Sequence, residues 1–336
     1  MHKITHFIGI DVSKLTLDFA LFVDGKVIAH WQIENTNKAI KKLLRMLVKQ
    51  YGITTSNTLF ILEYTGVYNE YVVTTLSLKG YFMCLESGVQ VKRSLGLTRG
   101  KNDKVDSKRL AEYGFYHKQK LKFFTPNTKA IKQLAALISY RDRLLKTKKQ
   151  HQTASKEQTK FLGKDIMGFV TKDTKALIKH IKSLIKNVEQ KIKQIIDSDP
   201  ELKRLYTLVV SVKGVGLVTA IRIIVATNGF TKITEAKKFA CYSGVVPFEH
   251  SSGTSIRGKD RVSNMANKKI KRDLNMCARS AVQYDPELKE YYNRKVAEGK
   301  NKMSVLNAVR NKLVHRVFAC VRDNRLFTTK YQNKAA

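Results

Sequence analysis

The sequence predicts an α/β domain built on a mixed sheet, then a helical connector, then a mainly α C-terminal domain. Three observations predict it. Short apolar strands alternate with amphipathic helices through the first 86 residues. Between Thr128 and Asp199, Gly and Pro almost vanish while apolar residues recur at helical spacing. Beyond residue 200, helix-length patterns are separated by Gly-containing turns. A chain of 336 residues is long enough for two domains with separate cores plus a connector. The divisions fall at 1–125, 126–200 and 201–330.

His6 to Lys14, Leu15 to Val23 and Lys26 to Asn35 read as three strands of a meander, with Asp24-Gly25 as the tight turn between the last two. Ala39, Ile40, Leu43, Leu44, Met46, Leu47 and Tyr51 then follow a helical period, entered through the capping stretch Asn35-Thr36-Asn37. A strand over Thr58 to Tyr64, a helix from about Tyr68 to Leu78 and a strand over Tyr81 to Glu86 complete the order βββαβαβ. That order puts helices on the faces of a mixed sheet.

Asp11 interrupts the apolar run Phe7-Ile8-Gly9-Ile10-Asp11-Val12. An ionised carboxylate buried there is costly unless a cation or metal compensates it. Glu63 closes the apolar strand Leu59-Phe60-Ile61-Leu62, at the kind of strand end that faces the ligand crevice of open α/β sheets. Asp103 and Asp106 stand three residues apart at the start of a helix running through Leu110 and Tyr113, so they share one face. Singly, each acid has a plainer explanation; Asp103 and Asp106, for example, suit the positive end of a helix dipole.

The formal charge of +36, from 63 Lys and Arg against 27 Asp and Glu, favours a polyanionic partner, nucleic acid before a membrane surface. Residues 1–100 hold 12 basic and 7 acidic side chains, residues 101–150 hold 14 and 4, so the polyanion surface is expected to begin near residue 100. No run approaches 18 apolar residues and the opening residues lack a signal-peptide pattern. The expectation is a soluble, cytoplasmic, nucleoid-associated protein with no membrane partner. Cys84, Cys241, Cys277 and Cys320 form no C-x-x-C and read as buried thiols.

Leu134, Leu137, Ile138, Arg141, Leu144 and Leu145 mark one connector helix, and Leu177, Ile178, Ile181, Leu184, Ile185, Val188, Ile192 and Ile195 another. Such stripes bury one face against a partner helix, which predicts a coiled-coil-like hairpin; the polar stretch Lys146 to Glu157 that interrupts the apolar pattern is either a solvated face or a nucleic-acid contact. Val209 to Ala220 reads as helix, Gly-x-Gly turn and helix, similar to a helix-hairpin-helix. Gly214 and Gly216 would let the backbone approach a phosphate, although a plain helix-helix turn has the same pattern. Phe239 to Arg261 has the composition of a flexible surface loop. Its hydroxyls interleave with Arg257, Lys259 and Arg261, groups able to stabilise charge on a phosphate. Helices over Ile270 to Val282 and Lys302 to Arg322 follow.

Three segments together carry a resemblance: Gly9-Ile10-Asp11-Val12-Ser13-Lys14, Leu62-Glu63-Tyr64-Thr65-Gly66-Val67-Tyr68 and Lys101-Asn102-Asp103-Lys104-Val105-Asp106-Ser107-Lys108. In this order they are similar to the motifs of the DEDD-type insertion-sequence transposases, the bridge-RNA-guided recombinases. The resemblance implies an RNase H-like (RuvC-type) first domain in which Asp11, Glu63, Asp103 and Asp106 hold Mg²⁺, a hard cation suited to carboxylate oxygens. It also implies a nucleophilic serine, which falls on Ser252 in Ser252-Gly253-Thr254-Ser255-Ile256-Arg257-Gly258, with Ser251 as the neighbouring register, and a covalent protein-DNA intermediate. The connector becomes a dimerisation arm. The implied partners are the DNA of element ends and target, a structured guide RNA and further copies of the chain, as dimer or tetramer. Because the acids and Ser252 lie in different domains, the working site would combine two protomers.

The pattern departs from the family at Asn264-Met265-Ala266-Asn267, where a glycine turn is usual, and at Lys271-Arg272. Two other readings share some of these residues. Gly9 to Lys14 is also similar to the phosphate-binding strand of sugar kinases and actin-like ATPases, but no second glycine-rich loop and no G-x-x-x-x-G-K-[ST] follows. A metal-only nuclease or junction resolvase would need the four acids and leave Ser252 as a loop residue.

Overall fold

A computed structural model describes residues 4–94, 96, 102–252 and 256–328, with the side chains of 250–252, 256, 257, 259 and 260 outside the description. The chain forms two compact units, residues 1–126 and 127–336.

The first unit is a five-stranded sheet in the order β3-β2-β1-β4-β5, made of β1 (His6–Val12), β2 (Thr16–Val23), β3 (Lys26–Glu34), β4 (Thr58–Glu63) and β5 (Phe82–Glu86). The first three strands are antiparallel neighbours, whereas β1, β4 and β5 run parallel. Asp24 and Gly25 take φ of 48° and 82°, as a two-residue hairpin turn requires. Parallel neighbours need crossovers, supplied by α1 (Asn37–Tyr51) and α2 (Glu70–Leu78). The Thr36 hydroxyl caps α1 by accepting from the Ala39 N–H at 3.2 Å, as the Asn35-Thr36-Asn37 stretch predicts. Two further helices follow, α3 (Gly88–Ser94) and α4 (Asp103–Tyr116).

Strand alternation sorts the sheet into two cores. Ile8, Ile10, Leu17, Phe19, Phe60 and Leu62 pack with Ile40, Leu44, Leu47, Val72 and Leu76 of α1 and α2. Phe7, Phe22, Leu59 and Ile61 pack on the other face with Leu110, Ala111 and Tyr113 of α4. This is the expected RNase H-like arrangement, a mixed sheet covered on both faces.

The second unit begins with α5 (Lys129–Ser198), whose two arms meet at Gly163 (φ 84°). Arg141 reaches Glu189 at 2.8 Å and Thr159 reaches Thr171 at 3.2 Å. The paired residue numbers converge toward the bend, so the arms are antiparallel, each on the order of 50 Å long. The coiled-coil-like hairpin is thus present, and the polar stretch 146–157 continues its first arm as helix. Lys, Gln, Glu and Ala sustain a solvated helix where no Gly or Pro intervenes. At the root, Ile131, Leu134 and Ile138 pack with Val188, Ile192 and Ile195 and with α6 (Pro200–Val210) and α7 (Leu217–Thr227).

After α8 (Ala236–Tyr242), the presumed loop is a hairpin of β6 (Pro247–Ser252) and β7 (Ile256–Val262). The strand pairing is set by the backbone, and Ser, Gly and charged side chains concealed it. α9 (Lys268–Tyr284) and α11 (Lys302–Arg322) cover the two predicted C-terminal helices, and α10 (Pro286–Ala297) is an additional one. Val209, Ile223, Phe239, Leu274, Leu313 and Val317 lie in the core of this part. Among the described residues no helix is long and apolar enough to cross a membrane. Cys84, Cys277 and Cys320 are buried free thiols and Cys241 is half-buried.

Candidate active site

Asp11 and Glu63 come together through strand register. β1 and β4 pair in parallel with Ile10 opposite Leu62, which makes Asp11 and Glu63 the next residues on adjacent strand ends. Both share the parity of Phe7 and Ile61, and so project to the face that α4 covers.

α4 brings the other two acids. Asn102 caps the helix, its side-chain oxygen accepting from the Val105 N–H at 2.8 Å, and Asp103 and Asp106 occupy the first turn. α4 crosses β1 at Gly9, where an added Cβ would overlap the Ser107 carbonyl and the Ala111 nitrogen. Further along the helix, Phe115 meets the Phe7 ring at 5.5 Å. Since Phe7 lies against Phe115 and Gly9 against Ser107 to Ala111, α4 runs antiparallel to β1 and its first turn lies toward Asp11.

Electrostatics register that placement. Burial pushes the Asp11 carboxyl up to about 6, and the negative fields of Asp103, Asp106 and Glu63 push in the same direction, against a backbone hydrogen bond from Val12. Glu63, Asp103 and Asp106 therefore all lie within electrostatic reach of Asp11.

Ser252 ends β6 opposite Ile256 in the hairpin register. The side chains of Ser251, Ser252, Arg257 and Lys259, and all of Gly253, Thr254 and Ser255, lie outside the described residues. Arg261 on β7 is exposed and lines a cavity with α9 and α11. Gly214 (φ 94°) sits where a Cβ would press on the Cys277 carbonyl and Ala281 of α9, so close helix packing accounts for that glycine. Gly216 is exposed at the N-cap of α7, with open space around it.

Comparison with known proteins places these features in a family. Residues 8–159 match the transposase family of the IS110 DEDD type, and residues 206–293 match the IS116/IS110/IS902 transposase family. The chain belongs to the IS110-type transposases. The pilin gene-inverting proteins of Moraxella bovis and Moraxella lacunata are 28% and 27% identical over 326 residues, spanning 96% of this chain and 97% of theirs. The 43.6 kDa protein of insertion element IS110 from Streptomyces coelicolor is 29% identical over 139 residues, 41% of this chain and 33% of that protein. Among solved structures, T. thermophilus RuvC in complex with a Holliday junction substrate aligns with 36% of this chain and 99% of its own, at 11% identity and a TM-score of 0.29.

In this transposase the chemistry of the four acids suits a hard divalent cation, because carboxylate oxygens are its preferred donors and like charges are otherwise left facing one another. Their side chains are not closed into a cage: among the described residues no three His, Cys, Asp or Glu groups converge as metal ligands. Asp106 is instead paired with Arg109 at 3.2 Å.

Three site neighbours escaped sequence reasoning. Asp18 stands directly opposite Asp11 in the β1–β2 register, is 2% exposed, and is hydrogen-bonded to His30 Nε2 at 2.9 Å and Gln32 Nε2 at 3.1 Å. The signal that picks out Asp11, an acid in an apolar strand, was present in Leu17-Asp18-Phe19 as well. Buried Asn69 donates to the Glu63 carbonyl at 2.8 Å and accepts from the Thr65 N–H at 3.1 Å, holding the strand exit. Gly88 leaves the space in which the Glu63 carboxylate lies, since a Cβ there would overlap it. Neither residue carries a local pattern that announces such a role.

Proposed function

We propose that this chain cuts and rejoins DNA by transesterification, with Mg²⁺ held by Asp11, Glu63, Asp103 and Asp106 and Ser252 as nucleophile. The observation that carries the reading is geometric: strand register sets Asp11 and Glu63 on adjacent strand ends, and the packing of α4 on Gly9 turns the helix start that bears Asp103 and Asp106 toward Asp11. The bound cation would offset negative charge on the phosphate and on the acids.

The Ser252 hydroxyl attacks phosphorus, one P–O ester bond breaks, and the serine proton ends on the released DNA hydroxyl. Attack by a DNA hydroxyl on the phosphoserine bond restores Ser252 and joins the strand, so no external energy source is needed. Relatives named for inverting a pilin gene fit a rejoining reaction better than cleavage alone.

The +36 charge supports binding of both DNA and a structured guide RNA, the second of which supplies sequence by pairing while the protein holds backbone. Oligomerisation is supported by the bend of α5, where Phe161, Leu162, Ile166 and Phe169 are exposed; such an apolar tip suits a second copy.

The test incubates purified protein with Mg²⁺, RNA transcribed from the gene's flanks and labelled element-end DNA, and looks for a denaturant-resistant adduct. Loss of the adduct in both Ser252→Ala and Asp11→Ala supports the reading. Nicking without an adduct, unchanged in Ser252→Ala, replaces it with a metal-only nuclease.

A further inference from the structure

Two arginines of the second unit are more than nine-tenths buried, and their surroundings differ. Arg222 is 8% exposed and fully compensated: it donates to Asp142 at 2.9 Å and to Asp273 at 2.6 Å. Arg310 on α11 is 6% exposed, and its partners among the described residues are neutral, Asn307 Oδ1 at 3.2 Å and Asn275 Oδ1 at 2.6 Å. Among the described residues its Nε has no partner, and neither has Asn311 Oδ1, one residue along.

Both residues line a cavity of about 890 Å³, together with Arg261, Asn264, Lys271 and Asn307. Among the described residues no carboxylate pairs with Arg261, Lys271 or Arg310. The cations also press on one another. Burial and Arg310 hold Lys271 below the usual lysine range, and burial and Arg279 lower Arg310. A buried guanidinium without a counter-ion is strongly unfavourable in a finished structure, and the same fold supplies two carboxylates to Arg222.

We propose that this cavity binds a phosphodiester group of a nucleic-acid strand, with the adjoining sugar or base against its asparagine amides. The chemistry is specific. A planar guanidinium and an ammonium bind phosphate oxygens through charge-assisted hydrogen bonds. The volume exceeds that of a bare ion and falls in the range of a nucleotide-sized ligand. Asn311 can present its oxygen or, with the amide turned over, its nitrogen to such a ligand.

The location relates the cavity to the proposed chemistry. Pro247, Arg261 and Val262, at the root of the β6–β7 hairpin, form part of its wall. Ser252 is five residues along β6, on the order of 17 Å away for an extended strand, which is about five base-pair steps of duplex. The cavity would hold the strand at a fixed distance from the phosphate that Ser252 attacks. This placement rests on the function proposed above.

The test uses the full-length protein as wild type, Lys271→Ala and Arg310→Met, each titrated with a labelled duplex DNA and a duplex RNA of equal length over a series of salt concentrations. Thermal unfolding of each protein without nucleic acid is measured alongside. We expect each variant to weaken binding several-fold and to lower the salt slope by about one, the signature of a lost phosphate contact, while Arg310→Met unfolds no earlier than wild type because it removes an uncompensated cation. An effect confined to DNA or to RNA names the strand. Wild-type affinity and slope in both variants with both nucleic acids overturns the site, as does early unfolding of Arg310→Met with wild-type binding in Lys271→Ala. Failure of the wild type to bind either nucleic acid would instead defeat the function on which the placement rests.

Discussion

At the residue scale, Asp11 couples stability to chemistry. Its carboxyl titrates near 6 in the folded protein against 3.8 for an unperturbed aspartate. The folded state therefore holds the proton more tightly than the unfolded chain, and stability falls as pH rises from about 4 to about 6. Asp11→Asn removes that penalty. Unfolding experiments should show the variant more stable than wild type at pH 7.5, by about 1 kcal/mol after allowance for the solvent screening of a partly exposed group. The gain should vanish below pH 4, where both forms are neutral. Millimolar Mg²⁺ should raise the melting temperature of wild type at pH 7.5 and leave Asp11→Asn unmoved; equal effects on the two would remove Asp11 from the ligand set. The four acids were legible because an acid closing an apolar strand, or a pair on one helix turn, violates local expectation. Asn69 and Gly88 were not, because what they do is defined only by where Glu63 arrives in space.

At the element scale, α4 and the α5 hairpin show what periodicity conveys and what it omits. The helix beginning at Asp103 was readable, but its seat on β1 depends on Gly9, where no Cβ fits between strand and helix. Gly9→Ala should force α4 away from the strand and cost more than about 2 kcal/mol. A titration of Asp11 in that variant should move back toward 3.8, because the displaced helix would leave Asp11 less buried and carry Asp103 and Asp106 away from it. The α5 arms were readable from their apolar stripes, whereas the antiparallel pairing shows in Arg141–Glu189 and Thr159–Thr171. Arg222 ties the hairpin root to α9, through Asp142 on α5 and Asp273 on α9. Arg222→Ala leaves buried Asp273 with Arg272 alone and half-buried Asp142 with Lys269 alone, and should destabilise by about 2–3 kcal/mol, measured by urea unfolding. Restoration by a compensating Asp142→Asn, Asp273→Asn pair would attribute the loss to charge and not to packing. The β6–β7 hairpin escaped because its strands are polar and its pairing is a property of the backbone.

At the scale of the whole molecule, the acids belong to one unit and Ser252 to the other. The proposed reaction therefore leaves a choice between a site completed within one chain and a site completed between two copies. Mixing inactive proteins distinguishes them. Suppose the acids of one copy serve the serine of its partner. A mixed dimer of Asp11→Asn and Ser252→Ala then contains one site with both lesions and one site with neither. If each copy instead completes its own site, every site carries a lesion and none is active. Random reassortment makes half of the dimers mixed, so shared sites predict recovery of about a quarter of the wild-type adduct in a symmetric dimer with an isologous exchange. No recovery is expected if each chain is self-sufficient. Reassortment must be verified, and the exposed apolar tip of α5 offers the means: Phe161→Asp with Phe169→Asp should shift the oligomer toward monomer by sedimentation. If that tip holds the copies together, the same pair of changes should abolish the recovered adduct while leaving each unit folded.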